Sequence, residues 1–496
     1  MKRRNFLKLI PLGGFGLIVS PLAGSMFLRN RSDNARRILL KVVRHKSVEL
    51  PEGNRIPFGW SAIGIAPGDS VLLKPERSLP EGNLRFRVSV AQEIWDEKLL
   101  RVRIPNTGTD LGALNIRFSS VLVPYELEVA GVHVPQINQN GLEVRLEAPS
   151  PLWIFDQPGP DLGNTAFLTH ILVSPDQKGA VDDFLNCFMS VHSVQAFGWR
   201  EGCVLDGLWQ IYSRKGEKKA LETIRQHLRL FFDRERNLIY ETSRSKPNDN
   251  RIDGIESTIP FATLARLDAT HPALTRVTEA WKAYTKENGM ITDGSMISAE
   301  GCYTVAYPMA VIGKKWDRDD LKRTALEQLK HRFVLIDKGQ FYLRHTEGKR
   351  TYTNWARGAA WFLLGFARTM SELKNDIRDE AVIQKFQEAV KVALSFQNKN
   401  GLWNCFMHEP ETAPDTSGSA GIAAAILTGI QDGFLPGSYR EPALKCWDSL
   451  QSYLTPDGFL KGVAQDNRGG IGLQQSDYRV IAQMGMGMMA QLYAAL

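Results

Sequence analysis

The sequence predicts a multidomain protein of mixed α and β class, in which an antiparallel β-sandwich-like domain (residues 37–175) precedes an (α/α)6 barrel (residues 176–496). Three observations predict this. The chain has 496 residues, more than one ordinary hydrophobic core accommodates. The period of the apolar residues changes from two to about 3.6 near residues 175–180. The helical part repeats a two-helix unit.

The first 30 residues are expected to be an export signal. MKRRNFLKLIPLGGFGLIVSPLAGS has a basic start, an apolar middle and a small-residue end. The stretch RRNFLK (3–8) matches the twin-arginine pattern R-R-x-F-L-K. A membrane anchor is the alternative, but glycines and prolines interrupt the short apolar run. We therefore expect a periplasmic protein without stable membrane insertion; an extracellular or signal-anchored protein is the alternative.

Charge and cysteine content exclude several classes of function. Lys2, Arg3, Arg4 and Lys8 of the signal account for four of the seven net positive charges, and no basic stripe interleaves with aromatic residues. Binding to nucleic acid is therefore not expected. The spacing of the cysteines fits neither a disulfide framework nor a zinc site, so we expect buried free thiols and no metal or other cofactor. The cysteines are Cys187, Cys203, Cys302, Cys405 and Cys446.

The β-rich half is predicted from apolar residues that alternate with polar ones. Turn residues such as PEGN, PNTGTD and NQNG separate the alternating stretches, as in an antiparallel sandwich. No catalytic cluster is visible in this half. The predicted strands are LRFRVSV (84–90), LLRVRI (99–104), ALNIRFSSVLV (113–123), YELEVAGVHV (125–134), LEVRLEA (142–148) and AFLTHILVS (166–174).

The helical half consists of units that pair an apolar, small-residue helix with a more charged amphipathic one. The apolar helix is expected inside and the amphipathic helix outside. The sixth unit has no second helix, and residues 176–191 can supply it, so twelve helices close the ring. The units begin at Arg200, Ile252, Ala299, Ala356, Ser417 and Ser476.

The inner helices of such a ring run in the same direction, so their N-termini meet at one mouth. Positive dipole ends and free N–H groups there suit an anionic ligand such as a sugar carboxylate. Aromatic rings pack on sugars, arginine binds carboxylates, and paired carboxyl groups do acid–base chemistry. Each acid could instead be a helix cap. The residues at these starts are Trp199, Arg200, Glu201, Asp253, Glu256, Glu300, Trp355, Arg357, Asp415, Thr416, Ser417, Asp477 and Tyr478.

Four motifs carry a resemblance to a known group of enzymes. They are WREG with GLW in the first unit, RGAAW (357–361) in the fourth, DTSGSA (415–420) in the fifth, and the late stretch GVAQDN (462–467). In this order and spacing, residues 180–496 resemble glycoside hydrolase families 88 and 105, the unsaturated glucuronyl and rhamnogalacturonyl hydrolases. The resemblance does not cover the β-rich half.

The resemblance implies a mechanism and a set of site residues. These enzymes protonate the C4=C5 double bond of a terminal uronic residue, and water then adds at C5. Acids on the second and third inner helices take part; Asp253 matches the first. Seven residues before Pro308, where the family has its second acid, this chain has Gly301 and next to it Glu300. Glu201 is the reserve candidate because EGC recurs at 201–203 and 300–302.

We therefore expect a glycoside hydrolase that removes a terminal uronic acid, unsaturated or saturated, from an anionic oligosaccharide. A polysaccharide lyase is an alternative, with Tyr303, His345 or His408 as its base. A non-catalytic carbohydrate-binding protein is another. Residues expected to bind the sugar are Trp199, Trp355, Arg357, Trp361, Asp415 and Ser417.

The twin-arginine stretch gives a first prediction. Changing Arg3 and Arg4 to lysine keeps the charge but removes the paired arginines of the export pattern. We expect this variant to remain in the cytoplasm, as measured by cell fractionation and immunoblotting. Export at the wild-type level would reject the twin-arginine route.

Overall fold

The computed structural model describes residues 36–157, 159, 165–173 and 180–496. The predicted export signal lies outside these residues, and so does most of the predicted boundary between the two domains. Among the described helices, none is both long and apolar enough to cross a membrane. All five cysteines are buried and free, as predicted.

The N-terminal part is an antiparallel sheet, which confirms the prediction for this half. The alternation of apolar residues in the sequence becomes alternating burial in the structure, most regularly in Glu97–Ile104. The strands are β1 Arg36–Arg44, β2 Ser61–Ile65, β3 Ser70–Pro75, β4 Leu84–Ser89, β5 Glu97–Ile104, β6 Thr109–Arg117, β7 Pro124–Val129, β8 Leu142–Glu147, β9 Leu152–Gln157 and β10 His170–Val173.

This sheet curls around its own core. Eight strands pair in the order β6-β5-β8-β3-β1-β10-β4-β7, and β2 pairs separately with β9. The outermost strands, β6 and β7, touch each other: a Cβ added to Gly112 would lie 3.2 Å from Leu127 Cδ1. The sheet therefore wraps its apolar face inward, and its two edges protect each other.

Three predicted strands are several residues shorter in the structure. The stretch 113–123 is a strand only as far as Arg117, where β6 ends, and the stretch 166–174 is a strand only from His170, where β10 begins. The stretch 125–134 was predicted to be extended throughout, but β7 stops at Val129 and helix α1 spans Val134–Asn140. Pro135 stands in the first turn of α1, where its missing N–H costs nothing. Gly141 ends the helix with φ 81°, a conformation that favours glycine.

The C-terminal part is a closed double ring of helices, as predicted. The inner helices touch in the cyclic order α3-α5-α7-α9-α11-α14, and each packs against an outer helix. Helix α2 covers α14 and supplies the outer helix that the sixth unit lacks. The inner helices are α3 Trp199–Lys215, α5 Pro260–Leu267, α7 Tyr307–Lys315, α9 Ala356–Leu373, α11 Thr416–Gln431 and α14 Gln483–Ala494; the outer ones are α4 Lys218–Phe231, α6 Pro272–Tyr284, α8 Asp319–Lys330, α10 Glu380–Ser395, α12 Arg440–Leu450 and α2 Val181–Phe188.

Short strands and one short helix lie in the connections between the helices of the barrel. Strands β11, β12 and β14 pair with or flank β13, and β15 pairs with β16 beside the fifth inner helix. These elements are β11 Ile297–Ser298, β12 Ile336–Asp337, β13 Gln340–Thr346, β14 Lys349–Thr353, β15 Val463–Ala464, β16 Arg479–Val480 and α13 Gly470–Gln475.

A buried ion cluster joins the sheet to the barrel. Arg87 of β4 is fully buried and lies 2.7 Å from Asp457 and 2.5 Å from Glu126. Arg37 of β1 reaches the same Asp457 oxygen at 2.6 Å. Burial alone would raise the pKa of Asp457, but Arg87 and Arg37 outweigh it and hold that pKa well below its usual range. Asp457 is therefore charged and neutralises arginines that water cannot reach.

We predict that Asp457→Asn lowers the free energy of unfolding by about 3–5 kcal/mol, because it leaves buried arginine charge without its partner. Chemical denaturation measures this loss. Asp320→Asn is the matched control, because Asp320 pairs with Arg318 at a site where both side chains are more than half exposed. The control should cost at most about 1 kcal/mol. Equal losses in the two variants would contradict a buried cluster that matters for stability.

Candidate active site

A cavity of about 230 Å³ opens where the first four inner helices begin. This cavity lies at the mouth where the sequence predicted a ligand site. The side chains that line it come from the starts of these helices and from the loops before them. Others come from the β-rich part and from residues 462–468, called the late loop below. The lining side chains are Trp95, Phe197, Trp199, Arg200, Tyr240, Glu241, Thr242, Ser243, Asp253, Glu256, Ser257, Glu300, Thr304, Trp355, Arg357, Trp361, Asp466, Asn467 and Arg468.

Six of the nine predicted site residues line this cavity and three do not. Glu201, Asp415 and Ser417 are fully buried and stand outside its lining. The six that the structure brings together are Trp199, Asp253, Glu300, Trp355, Arg357 and Trp361.

A pair of acids, Glu256 and Glu300, is the chemical centre of the cavity. Burial raises the pKa of Glu256 to about 8, and the negative charge of Glu300 adds to that effect. Arg344 and Arg200 oppose the shift but do not cancel it. A pKa raised in this way favours the protonated form of Glu256 at neutral pH, the form that a general acid needs. The sequence shows Glu256 at a helix start but gives no reason to prefer it to Asp253, three residues earlier.

The third inner helix explains the position of Glu300. Residues Cys302–Ala306 form a π-helical stretch between Glu300 and the start of α7. A π-helical turn holds one residue more than an α-helical turn and is common at functional sites. Glu300 stands eight residues before Pro308, with this π-helical stretch between them. One Glu300 oxygen, Oε2, is buried and has no hydrogen-bond partner among the described residues.

Asp253 stands at the rim of the cavity, before the second inner helix. Its side chain is exposed, and its backbone N–H donates to Tyr240 Oη at 3.1 Å. Burial raises the pKa of Tyr240 to about 12, and the charge of Asp253 contributes. A second acid, Asp293, accepts from the Ile255 N–H at 3.2 Å and fixes the turn between Asp253 and Glu256.

Arg357 holds the late loop. Its Nη1 donates to the Ala464 carbonyl oxygen and its Nη2 to that of Gln465, both at 2.6 Å. The guanidinium carbon lies 4.6 Å from the ring centroid of Trp355. Arg357 does not pair with Asp415. Two of its five N–H groups are occupied by this contact, and three remain.

Asp415 and Ser417 hold the same loop from the other side. Asp415 Oδ1 accepts from the Ala464 N–H at 3.1 Å and from the Ser417 hydroxyl at 2.7 Å. The same oxygen caps α11 through the Ser417 N–H. These residues therefore position the loop and do not reach the cavity.

Trp355 is linked to the loop through Gln474. Its Nε1 donates to Gln474 Oε1 at 3.2 Å, and Gln474 Nε2 donates to the Gln465 carbonyl oxygen at 2.8 Å. The indole is 2% exposed, so it is mainly part of the core below the cavity. Trp361 is similarly buried and packs edge-on against Trp199 and parallel to Tyr303, at centroid distances of 5.4 and 5.9 Å.

Asp466 anchors the tip of the late loop. It pairs with Arg200, accepts from Arg468 Nη2 at 2.8 Å and from the Ser120 hydroxyl at 3.1 Å. Burial would raise the pKa of Asp466, but Arg200, Arg468 and Arg357 hold it well below its usual range. Arg468 also reaches Glu93 at 2.7 Å. The network connects the barrel, the late loop and the β-rich part.

Glu201 is part of a buried pair below the mouth. Its Oε1 lies 2.8 Å from His227 Nδ1, and its Oε2 accepts from the Gln195 N–H at 2.8 Å. Burial raises the pKa of Glu201, against the effect of His227. With both oxygens engaged and no exposed surface, Glu201 stabilises the start of the first inner helix, and its expected reserve role finds no support here.

Glu256 gives a prediction that can be measured without substrate. Its carboxyl should titrate near pH 8 in the wild type, as followed by ¹³C NMR of labelled glutamate carboxyls and assigned with Glu256→Gln. Glu300→Gln removes the like charge, so the Glu256 titration should move to lower pH. A midpoint that is unchanged in Glu300→Gln would contradict the electrostatic coupling of this pair.

Two kinds of comparison agree with this architecture. A curated relative, the unsaturated 3S-rhamnoglycuronyl hydrolase of Formosa agariphila, is 32% identical over 108 residues. That alignment spans 21% of this chain and 29% of the relative. A family 105 glycoside hydrolase structure from C. acetobutylicum has a TM-score of 0.53 at 19% identity, over 64% of this chain and 97% of the other. A possible family 105 member from Salmonella enterica has 0.52 at 18%, over 62% and 83%.

At these low identities, similarity to the solved structures shows only the fold. Membership of a family is shown by the match of the sequence to a family model. The model of Glycosyl Hydrolase Family 88 matches residues 180–495, which include the whole helical ring and the late loop. The β-rich part lies outside the match. The predicted resemblance is confirmed, and the chain belongs to glycosyl hydrolase family 88.

Proposed function

We propose that this protein hydrolyses the glycosidic bond of a terminal unsaturated uronic acid in an oligosaccharide. The carrying observation is that Glu256 and Glu300 line one cavity together with arginines and tryptophans, where burial and the charge of Glu300 raise the pKa of Glu256 to about 8. The name of the Formosa relative supports an unsaturated substrate, although it aligns over only part of its length.

Glu256 is the proposed proton donor. Its proton passes to C4 of the C4=C5 double bond, which leaves positive charge shared between C5 and the ring oxygen. Water adds at C5 and gives its proton to a carboxylate, for which Glu300 and Asp253 are the candidates. The resulting hemiketal opens and releases the remaining sugar chain. The proton that the carboxylate takes from water then returns to Glu256 through solvent. This transfer restores the protonated Glu256 and the ionised carboxylate for the next cycle.

Arginine N–H groups in the cavity can bind the carboxylate of the uronic acid. Arg200 lines the cavity and lies over Trp199, with its guanidinium carbon 4.5 Å from the ring centroid. Arg357 adds the N–H groups that the late loop leaves unoccupied. Trp199 offers an apolar face for the sugar ring, and Trp355 and Trp361 support it from below.

A lyase is the competing function, and the two reactions have opposite optical signatures. A hydrolase of unsaturated uronides consumes the double bond, so the ultraviolet absorbance of the substrate falls. A lyase creates the double bond, so absorbance rises on a saturated polymer. Tyr303, a candidate lyase base, is fully buried and donates to Asp206 at 2.6 Å, which argues against that role. Assays on matched saturated and unsaturated uronides decide between the functions.

We predict that Glu256→Gln, Glu300→Gln and Asp253→Asn each lower turnover about 10²–10⁴-fold, the usual contribution of general acid–base groups. Absorbance loss on unsaturated oligosaccharides measures turnover, and circular dichroism checks that each variant folds. Glu287→Gln, an exposed glutamate outside the cavity, is the control and should keep wild-type turnover. Turnover above about a tenth of wild type in all three variants would reject the acid–base assignment.

A further inference from the structure

The β-rich part contributes one large side chain to the active-site cavity. Trp95, from the loop between β4 and β5, lines the cavity beside barrel residues, and 37% of its surface is exposed. An exposed tryptophan at the rim of a polar cavity is typical of a binding surface. The same indole also lines a second cavity of about 450 Å³ on the β-rich part.

Trp95 is held rigidly in this position. Its Nε1 donates to the Ser243 carbonyl oxygen at 2.6 Å, and the Ile94 N–H donates to the Ser119 carbonyl oxygen at 2.8 Å. The guanidinium carbons of Arg244 and Arg468 lie 3.5 and 4.8 Å from the ring centroid. A side chain that is fixed before the ligand arrives loses little conformational entropy on binding.

The second cavity has the chemistry of a neutral sugar site. The rings of Trp95 and Trp153 lie in its wall with the polar side chains of Asn54, Gln92 and Ser150. These polar groups are already ordered by one another and by their neighbours: Asn54 Nδ2 donates to Gln92 Oε1 at 2.7 Å, and the Ser150 hydroxyl donates to Asp96 at 2.6 Å. The second amide N–H and the free lone pair of Asn54 are the groups that suit a sugar hydroxyl. Its charges disfavour an anion. Asp96 is paired with Lys98, Glu93 is paired with Arg468, and Glu49 has no cation within ion-pair distance among the described residues.

We propose that the cavity beyond Trp95 is a binding subsite for neutral sugar units that follow the cleaved uronic acid. The active-site cavity would hold the terminal uronate, and the chain would continue past the indole of Trp95 onto the β-rich part. This inference rests on the proposed function, which sets the direction in which the oligosaccharide lies: the uronic acid in the active-site cavity and the following sugars beyond Trp95. It assigns to the β-rich part the recognition of substrate length and of neutral sugars.

Binding of two defined probes tests the subsite independently of catalysis. One probe is a disaccharide of unsaturated glucuronic acid and glucose; the other extends it by rhamnose and glucose. Calorimetry on the full chain, in the acid-disabled Glu256→Gln background, measures both affinities without turnover. We expect the tetrasaccharide to bind about tenfold more tightly, the effect of a well-packed aromatic wall.

Trp95→Ala should remove this advantage and bring the two affinities within about threefold, whereas Trp95→Phe should retain most of it. Val132→Ala is the control, because Val132 is a 77% exposed apolar residue of the same part that lines neither cavity. Two results would overturn the subsite. One is equal affinity of the protein with Trp95 intact for the disaccharide and the tetrasaccharide; the other is a tetrasaccharide advantage that persists in Trp95→Ala. An intact advantage without turnover in the wild type would count against the proposed function alone.

Discussion

The site depends on one short segment, Val463–Arg468, and on the contacts that hold it between the two parts of the molecule. Arg357 binds carbonyl oxygens of this segment and Asp415 accepts from its Ala464 N–H, so the starts of the fourth and fifth inner helices both hold one short strand. Asp466 and Arg468, which follow that strand, line the cavity. There Asp466 neutralises Arg200, while Arg468 reaches the β-rich part. Hydrogen bonds to charged groups in a buried setting are the strong kind, so the segment is a fixed part of the wall.

The electrostatics of the mouth result from two opposing effects. Helix N-termini and arginines favour carboxylates, and each dipole end contributes at most about 1 kcal/mol at ordinary sites, less than one pKa unit. Glu256 nevertheless keeps its proton to about pH 8, so burial and the charge of Glu300 outweigh the dipole and the arginines there. At Asp466 the balance is reversed because arginines contact it directly. The same cavity therefore shifts the pKa of two of its acids in opposite directions, according to whether an arginine contacts the carboxylate directly.

The sequence was sufficient to predict the ring, because six apolar helices with amphipathic partners can bury their surfaces in few other ways. It was also sufficient for the cavity and for residues such as Asp253 and Glu300, which stand at helix starts. It could not separate functional polar residues from anchoring ones. Three acids at similar helix starts differ only in what they contact. Asp415 binds the N–H of a strand residue, Glu201 pairs with a histidine, and Glu256 faces a second acid. Trp95 carried no signal at all, because a loop residue from a distant part of the chain enters the site only through tertiary structure.

The β-rich part also limits what the mouth can admit. Gln483, at the start of the sixth inner helix, donates to the Leu122 carbonyl oxygen at 3.0 Å, and Gln465 donates to that of Arg117 at 3.0 Å. Through these contacts the β-rich part lies over the starts of the fifth and sixth inner helices. The cavity remains open beside the starts of the first four. A cavity closed on one side accepts the end of a chain more readily than its middle. This geometry fits a reaction at a terminal residue, and Trp95 stands at the open side of the cavity, where the two parts meet.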